Sequence, residues 1–160
     1  MSEIRPRLSG QRRKAFENIT RNERRILVIG DIHEPFSLDG YLGFCMDVYN
    51  RYNCNSVIFI GDVIDSHHSS FHPTDPNGLG GEDELQYAIN RVKDWADAFP
   101  VADVIIGNHD TYYKNTNEVN AMQNLDISKD AKVYTHATTV EFDGLPILFI
   151  PWICDDNEAE

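Results

Sequence analysis

The chain has 160 residues, 41% of them apolar and 25% charged, a composition typical of one globular domain that buries a core. No apolar run approaches the roughly 20 residues that span a bilayer, and the first residues lack the apolar stretch of a secretion signal. The composition therefore argues against an integral membrane protein. The three cysteines predict free thiols in a reducing compartment.

Charge is unevenly distributed along the chain. Residues 1–25 hold eight Lys and Arg against three Glu, a net charge of +5, whereas the remaining residues hold six Lys and Arg against 23 Asp and Glu, a net charge of −17. An acidic body repels nucleic acid unless divalent cations or a local basic patch offset it. The basic N-terminal segment could contact a phosphate backbone or could be a solvated tail, and both interpretations stay open.

Predicted strands and helices alternate along the chain. In chain order they are a strand at 26–30, a helix at 41–52, a strand at 56–62, a helix at 81–99, a strand at 101–110, a short helix at 118–125 and a hairpin around Asp143 and Gly144. The strands are apolar runs that end at glycine, the two long helices have apolar residues at helical spacing, and Asp-Gly is a hairpin turn signal. This order predicts an α/β fold in which a mixed β-sheet is flanked by helices.

A polar loop at 65–81 is long for a connection inside a compact domain, and such loops are usually functional or disordered. It contains three histidines, His67, His68 and His72. They invite a zinc interpretation, but the second half of a zinc motif is missing from the sequence. We therefore interpret these histidines as substrate-contacting or ordinary loop residues rather than as a metal site.

Three of the predicted strands end in glycine followed by metal-capable side chains, in the motifs GDIH (30–33), GDVID (61–65) and GNHD (107–110). In α/β sheets ligands gather beyond the carboxyl ends of the strands, where several loops converge. Neighbouring parallel strands lie about 4.8 Å apart, so adjacent strand ends can place carboxylate, imidazole and amide groups around two cations roughly 3.5–4 Å apart. Oxygen and nitrogen ligands without thiolate suit Mn²⁺, Fe or Zn²⁺, and the sequence does not choose among them.

These three motifs resemble the first three motifs of the calcineurin-like metallophosphoesterases. The resemblance implies the layered fold of that family and two divalent metal ions, with Mn²⁺ favoured. It implies that Asp31 and His33 bind the first metal, that Asp62 bridges both, and that Asn108 binds the second through its amide oxygen.

The same resemblance implies catalytic roles for two further residues. His109 would stabilise the transition state or protonate the leaving oxygen, and the carboxylate of Asp65 would orient its ring. This is chemically coherent, because an imidazole held by a carboxylate is a suitable acid near neutral pH.

Three later segments, at 107–121, 132–144 and 148–157, are similar to the nuclease subunits of phage recombination endonucleases, which belong to the SbcCD and Mre-type repair nucleases. The likeness covers about residues 25–157. It implies DNA as substrate, an ATPase subunit of the SbcC/Rad type as partner, and the cytoplasm of a bacterial or phage-infected cell. The loop at 67–85 looks instead like phage phosphoesterases of unassigned substrate, so another phosphate ester is the alternative.

The family completes its site with later histidines, in Gly-His and Gly-His-x-His motifs that this sequence does not contain. His136 is the only histidine after His109, and without a preceding glycine it is not a substitute. We expect a basic segment at 1–25 and a partial metallophosphoesterase domain at 26–160. The chain alone would then be inactive or incomplete: a fragment, one product of a split gene completed by a second chain, or a non-catalytic assembly module.

Overall fold

The structure is a computed structural model that describes residues 24–65, 81–123, 125 and 131–158. Most of the basic N-terminal segment lies outside these residues, as do His67, His68 and His72, the predicted substrate contacts. The elements in chain order are β1 (Ile26–Ile29), α1 (Tyr41–Arg51), β2 (Ser56–Phe59), α2 (Gly81–Ala98), β3 (Ala102–Ile105), β4 (Thr111–Tyr113), β5 (Thr116–Asn120), a short 3-10 helix (Ala121–Gln123), β6 (Lys132–Tyr134), β7 (Thr138–Phe142) and β8 (Leu145–Phe149).

The centre of the fold is a four-stranded parallel sheet with the order β1-β2-β3-β6. Ile29 pairs with Phe59, and Phe59 pairs with Val104, so the first three strands end side by side. The predicted α/β class, with a sheet flanked by helices, is confirmed. The pairing of the strands differs from the prediction. The described strands form one parallel sheet and two separate antiparallel hairpins instead of a single mixed sheet.

Both helices pack on one face of the sheet. The apolar stripe of α2 includes Val92 and Trp95, and these side chains join Phe59 of the sheet in the main core cluster. Trp95 is 1% exposed and contacts the rings of Tyr41, Phe59 and Phe99 at centroid distances of 5.5, 6.1 and 6.3 Å. Truncating a buried aromatic of this kind typically costs about 3–5 kcal/mol, so α2 is fixed firmly to the sheet.

The hairpin of β7 and β8 covers part of the opposite face. Phe142 and Phe149 pack there in a second cluster with residues of β2, β3 and β6. The turn residues Asp143 and Gly144 both have positive φ, 51° and 85°, as the tight hairpin turn for Asp-Gly requires. The hairpin predicted around these two residues is confirmed.

The predicted helix over 118–125 is wrong. Residues of this stretch form β5, paired antiparallel with β4, and then the 3-10 helix. Asn117 and Asn120 are buried, and the side-chain amide of Asn120 donates to the carbonyl oxygen of Asn117. Asparagine side chains that bond to nearby backbone groups compete with helical hydrogen bonds, which accounts for the strand and turn.

Cys45, Cys54 and Cys154 are all free and buried. Within the described ranges, neither helix has the length and apolar content needed to cross a bilayer.

Candidate metal centre

The loops that follow β1 and β2 have an unusual backbone at the predicted metal ligands. Asp31, His33 and Asp62 have φ values of 52°, 51° and 52°, in the left-handed region that costs a residue other than glycine roughly 1–2 kcal/mol. Such strain persists only where the surroundings hold it. Here the N–H of His33 donates to the carbonyl oxygen of Asp62 at 2.8 Å, so each loop restrains the other.

Glycines allow the loops after β2 and β3 to touch. A Cβ at Gly61 would lie 2.7 Å from Cα of Gly107, and a Cβ at Gly107 would lie 2.3 Å from Oδ1 of Asp62. Both distances are shorter than real side chains allow, so only glycine fits. After β1 the sharp turn is made by Asp31 itself, because Gly30 has no positive φ.

Asp31, His33 and Asp62 form a cluster whose ligand atoms all lie within 4.8 Å of one another. Nε2 of His33 is 3.9 Å from a carboxylate oxygen of Asp31 and 3.9 Å from one of Asp62. Two carboxylates and an imidazole at this spacing fit a divalent cation, and the donor set suits Mn²⁺, Fe or Zn²⁺. Asn108 lines a cleft together with Asp62, so the two residues lie at the same edge of the sheet.

Asp65 lies between two imidazoles. Its Oδ1 is 2.7 Å from Nδ1 of His109, and its Oδ2 is 3.6 Å from Nδ1 of His33. The two histidine rings meet edge to face with centroids 4.7 Å apart. A carboxylate at Nδ1 selects the tautomer of a histidine ring and leaves Nε2 as the nitrogen available to a substrate. The geometry thus brings together the acid–base pair that the resemblance implies.

Asp110 is a structural residue of the site to which the sequence reasoning gave no role. It is 0% exposed, and its carboxylate accepts four backbone N–H bonds of 2.8–3.0 Å, from Asp62, Val63, Ile64 and Gly107. The pKa of Asp110 is raised to about 7, because the effect of burial outweighs the lowering by the N–H donors of Ile64, Gly107 and Asp62. The carboxylate clasps the loop after β2 to the loop after β3. In the sequence, the only indication of this role was the position of Asp110 at the end of the GNHD motif.

The two carboxylate oxygens of Asp62 contact different parts of the site. Oδ1 of Asp62 accepts the backbone N–H of His109 at 2.9 Å, and Oδ2 is the atom 3.9 Å from His33. A single side chain therefore connects the loop of the predicted acid to the metal cluster.

The cleft beside Asp62 and Asn108 has a volume of about 340 Å³, and the segment 150–153 forms one of its walls. The side-chain amide of Asn117 donates to the carbonyl oxygen of Trp152 at 2.7 Å, and the N–H of Trp152 donates to the carbonyl oxygen of Ile106 at 2.8 Å. The stretch is thus tied to the strand end that carries GNHD. The sequence identified it through the resemblance alone.

His136 lies outside the clusters that the described residues form. Its Nε2 is 2.6 Å from a carboxylate oxygen of Glu118, and both side chains are substantially exposed. It makes a surface pair, in keeping with the expectation that it does not replace the later histidines of the family.

Metal affinity should depend on pH through His33. The pKa of His33 is raised above its usual value, chiefly by the nearby carboxylate of Asp65 and further by those of Asp62 and Asp31, while burial lowers it. Below this raised pKa the ring carries a proton that a cation must displace, so affinity should fall about tenfold per pH unit. Calorimetric titration with Mn²⁺ from pH 8 to pH 5.5 measures the slope. An affinity that stays constant over this range would contradict the participation of His33.

Comparison with known proteins identifies the family of the chain. The chain is 36% identical over 102 residues to "Exonuclease subunit 1" of Enterobacteria phage T4; the match covers 62% of this chain and 27% of the phage protein. The chain thus spans about a quarter of the length of that curated relative. The family model for calcineurin-like phosphoesterases matches residues 24–156, a stretch that includes all three strand-end motifs. The chain therefore belongs to the calcineurin-like phosphoesterase family.

Proposed function

We propose that this protein hydrolyses phosphodiester bonds in DNA with two divalent metal ions, as the nuclease subunit of a recombination or repair complex. The observation that carries the proposal is the cluster of Asp31, His33 and Asp62 beside the Asp65–His109 pair. The similarity to an exonuclease subunit supports DNA as the substrate. We also propose Mn²⁺ as the metal and an ATPase subunit of the SbcC/Rad type as partner.

In this proposal each described side chain has a distinct task. Asp31 and His33 would hold one cation and Asn108 the other, and Asp62 would contribute to both. When bound, the two cations neutralise the phosphate and lower the pKa of a water that attacks phosphorus. His109, held through Nδ1 by Asp65, donates a proton from Nε2 to the leaving oxygen.

The acidic charge of the chain has to be offset locally for DNA to bind. Residues 26–160 carry a net charge of −17, which repels a phosphate backbone at long range. Bound divalent metals and the basic segment at 1–25 would offset this charge locally.

Six-coordinate cations need more ligands than these side chains provide, so we further propose that waters or a second polypeptide supply the rest.

A second candidate is a phosphoesterase that acts on a small ester. The acidic body favours it, because a small ester carries less charge to be repelled than DNA does. The apolar wall of the cleft beside Asp62 and Asn108 also favours it, since such a wall accommodates a compact substituent. A panel of mononucleotides, aryl phosphodiesters and single-stranded DNA with Mn²⁺ separates the two candidates by their relative kcat/KM values.

The variant His109→Asn tests the role of the acid. Loss of a general acid typically lowers kcat by about 10²–10⁴-fold, while Mn²⁺ affinity should stay near that of the wild type because His109 is not assigned as a ligand. His136→Asn is the matched control, since this exposed histidine pairs with Glu118. Mn²⁺-dependent cleavage of a labelled oligonucleotide is measured for the purified protein and for its native complex.

Each outcome of this assay is informative. Unchanged cleavage in His109→Asn would contradict the assigned acid. Absence of Mn²⁺-dependent cleavage in both the protein and its complex would contradict the phosphoesterase activity and favour a non-catalytic assembly module.

A further inference from the structure

Glu34, the residue after His33, has a carboxylate that is completely enclosed. It is 0% exposed, and its Oε1 accepts from Nε1 of Trp95 at 2.7 Å and from Oγ of Ser37 at 2.8 Å. Its Oε2 accepts from Nε of Arg91 at 3.1 Å. Breaking a buried, fully bonded charge of this kind is strongly destabilising to the groups around it.

Two of these donors belong to α2. Trp95 is 1% exposed in the aromatic part of the main core, and Arg91 lies one helical turn before it and also donates to Oγ of Ser37 at 3.1 Å. The carboxylate of Glu34 is therefore attached to one of the most firmly packed elements of the fold.

The backbone of Glu34 joins the two loops that carry the metal cluster. Its N–H donates to the carbonyl oxygen of Val63 at 3.0 Å, and its own carbonyl oxygen accepts the N–H of Asp65 at 2.8 Å. Glu34 and Ile64 form an isolated parallel bridge. One residue earlier, the N–H of His33 donates to the carbonyl oxygen of Asp62, so this hydrogen bond belongs to the same pairing of the two loops.

We infer that Glu34 is a positioning residue that transmits the rigidity of α2 to His33 and Asp65. It holds the left-handed turn at His33 against its intrinsic strain, and it keeps Asp65 within reach of both imidazoles. The inference rests on the proposed function, because the cation that His33 would bind is part of that proposal. Supporting residues of this kind typically affect metal affinity by about 10–100-fold.

The test compares Glu34→Gln and Trp95→Phe with Phe99→Leu. In Glu34→Gln an N–H₂ group replaces one of the accepting oxygens, so a donor meets a donor. In Trp95→Phe the Nε1 donor is lost while an aromatic ring remains. Phe99→Leu is the control, because it alters the ring that packs 6.3 Å from Trp95 while the bonds to Glu34 stay intact. All variants are studied at a temperature at which circular dichroism shows them folded.

The first readout needs no metal. Amide hydrogen exchange at Glu34 and Asp65, relative to amides of β2 and β3, should accelerate by about tenfold or more in Glu34→Gln and Trp95→Phe. It should stay near the wild-type rate in Phe99→Leu. The second readout is Mn²⁺ affinity by calorimetry, expected to fall by about 10-fold or more in the first two variants only.

Equal exchange and equal affinity in all four proteins would overturn the inference, and so would losses in Phe99→Leu as large as in Trp95→Phe. A wild-type protein that binds no Mn²⁺ would contradict the proposed function instead. The exchange comparison would still decide whether Glu34 fixes the two loops.

Discussion

Replacing Asp62 with asparagine is expected to lower the affinity for Mn²⁺ by about 100-fold or more, because removal of even a supporting residue costs about 10–100-fold. Asp62 is the side chain assigned to both cations, and its Oδ2 lies 3.9 Å from Nε2 of His33. Asparagine keeps the shape of the side chain and the oxygen that accepts the N–H of His109. The loop should therefore stay in place while the negative charge at the cluster is lost. Calorimetric titration of the purified variant measures the effect.

The matched control is Asp97→Asn, which removes the same charge from an exposed position on α2. Its Mn²⁺ affinity should equal that of the wild type within about twofold, because exposed charges further apart than a Debye length of about 8 Å are largely screened at physiological salt. Equal affinities in Asp62→Asn and Asp97→Asn would mean that Mn²⁺ binds elsewhere, and the assigned bridging role would be wrong.

The second large effect is expected from Gly107→Ala, which should lower the free energy of unfolding by about 3 kcal/mol. The added Cβ would meet Oδ1, N and Cγ of Asp62 at 2.3, 2.4 and 2.8 Å. Asp62 cannot move aside at low cost, because its N–H is bound by the buried carboxylate of Asp110 and its Oδ1 accepts the N–H of His109. Urea denaturation followed by circular dichroism measures the loss.

Gly43→Ala is the control for this substitution. Gly43 lies inside α1, and a Cβ there would have nothing within 4 Å. Alanine should therefore raise the free energy of unfolding by about 0.5–1 kcal/mol, since glycine is unfavourable within a helix. If the two alanine variants shift the urea midpoint equally, the close contact between the loops after β2 and β3 is not a determinant of stability.

Local patterns in the sequence were sufficient to predict the parts of the fold that depend on neighbouring residues. Apolar runs ended by glycine located β1, β2 and β3, and Asp143-Gly144 located a hairpin. The parallel order of the strands then brings Asp31, His33, Asp62 and His109 to one edge, as the convergence of strand ends in α/β folds requires.

Contacts between distant residues could not be predicted in this way. The clasp made by Asp110 joins residues up to 48 positions apart, and the bond from Trp95 to Glu34 spans 61 positions. In the sequence both acids look like ordinary loop carboxylates. A distant contact also contributes to the error at 118–125, because Asn117, which accepts the local bond from Asn120, donates its own amide to the carbonyl oxygen of Trp152, 35 positions away.

Some expectations stay predictions. The division into a basic segment at 1–25 and a partial metallophosphoesterase domain at 26–160 is one of them, and so is the contribution of His67, His68 and His72 to substrate contact. These three histidines lie outside the described residues, so the panel of substrates named above, applied to variants of the histidines, is the way to examine them.

We propose that the strand ends of β1, β2 and β3 bind two metal ions around Asp62. Anomalous diffraction from crystals grown with Mn²⁺, recorded at the manganese edge, would locate these ions. We expect two peaks about 3.5–4 Å apart, with Asp62 bound to both, Asp31 and His33 to one and Asn108 to the other. Crystals of the folded protein with no peak at this edge, or with peaks bound only elsewhere, would contradict the proposal.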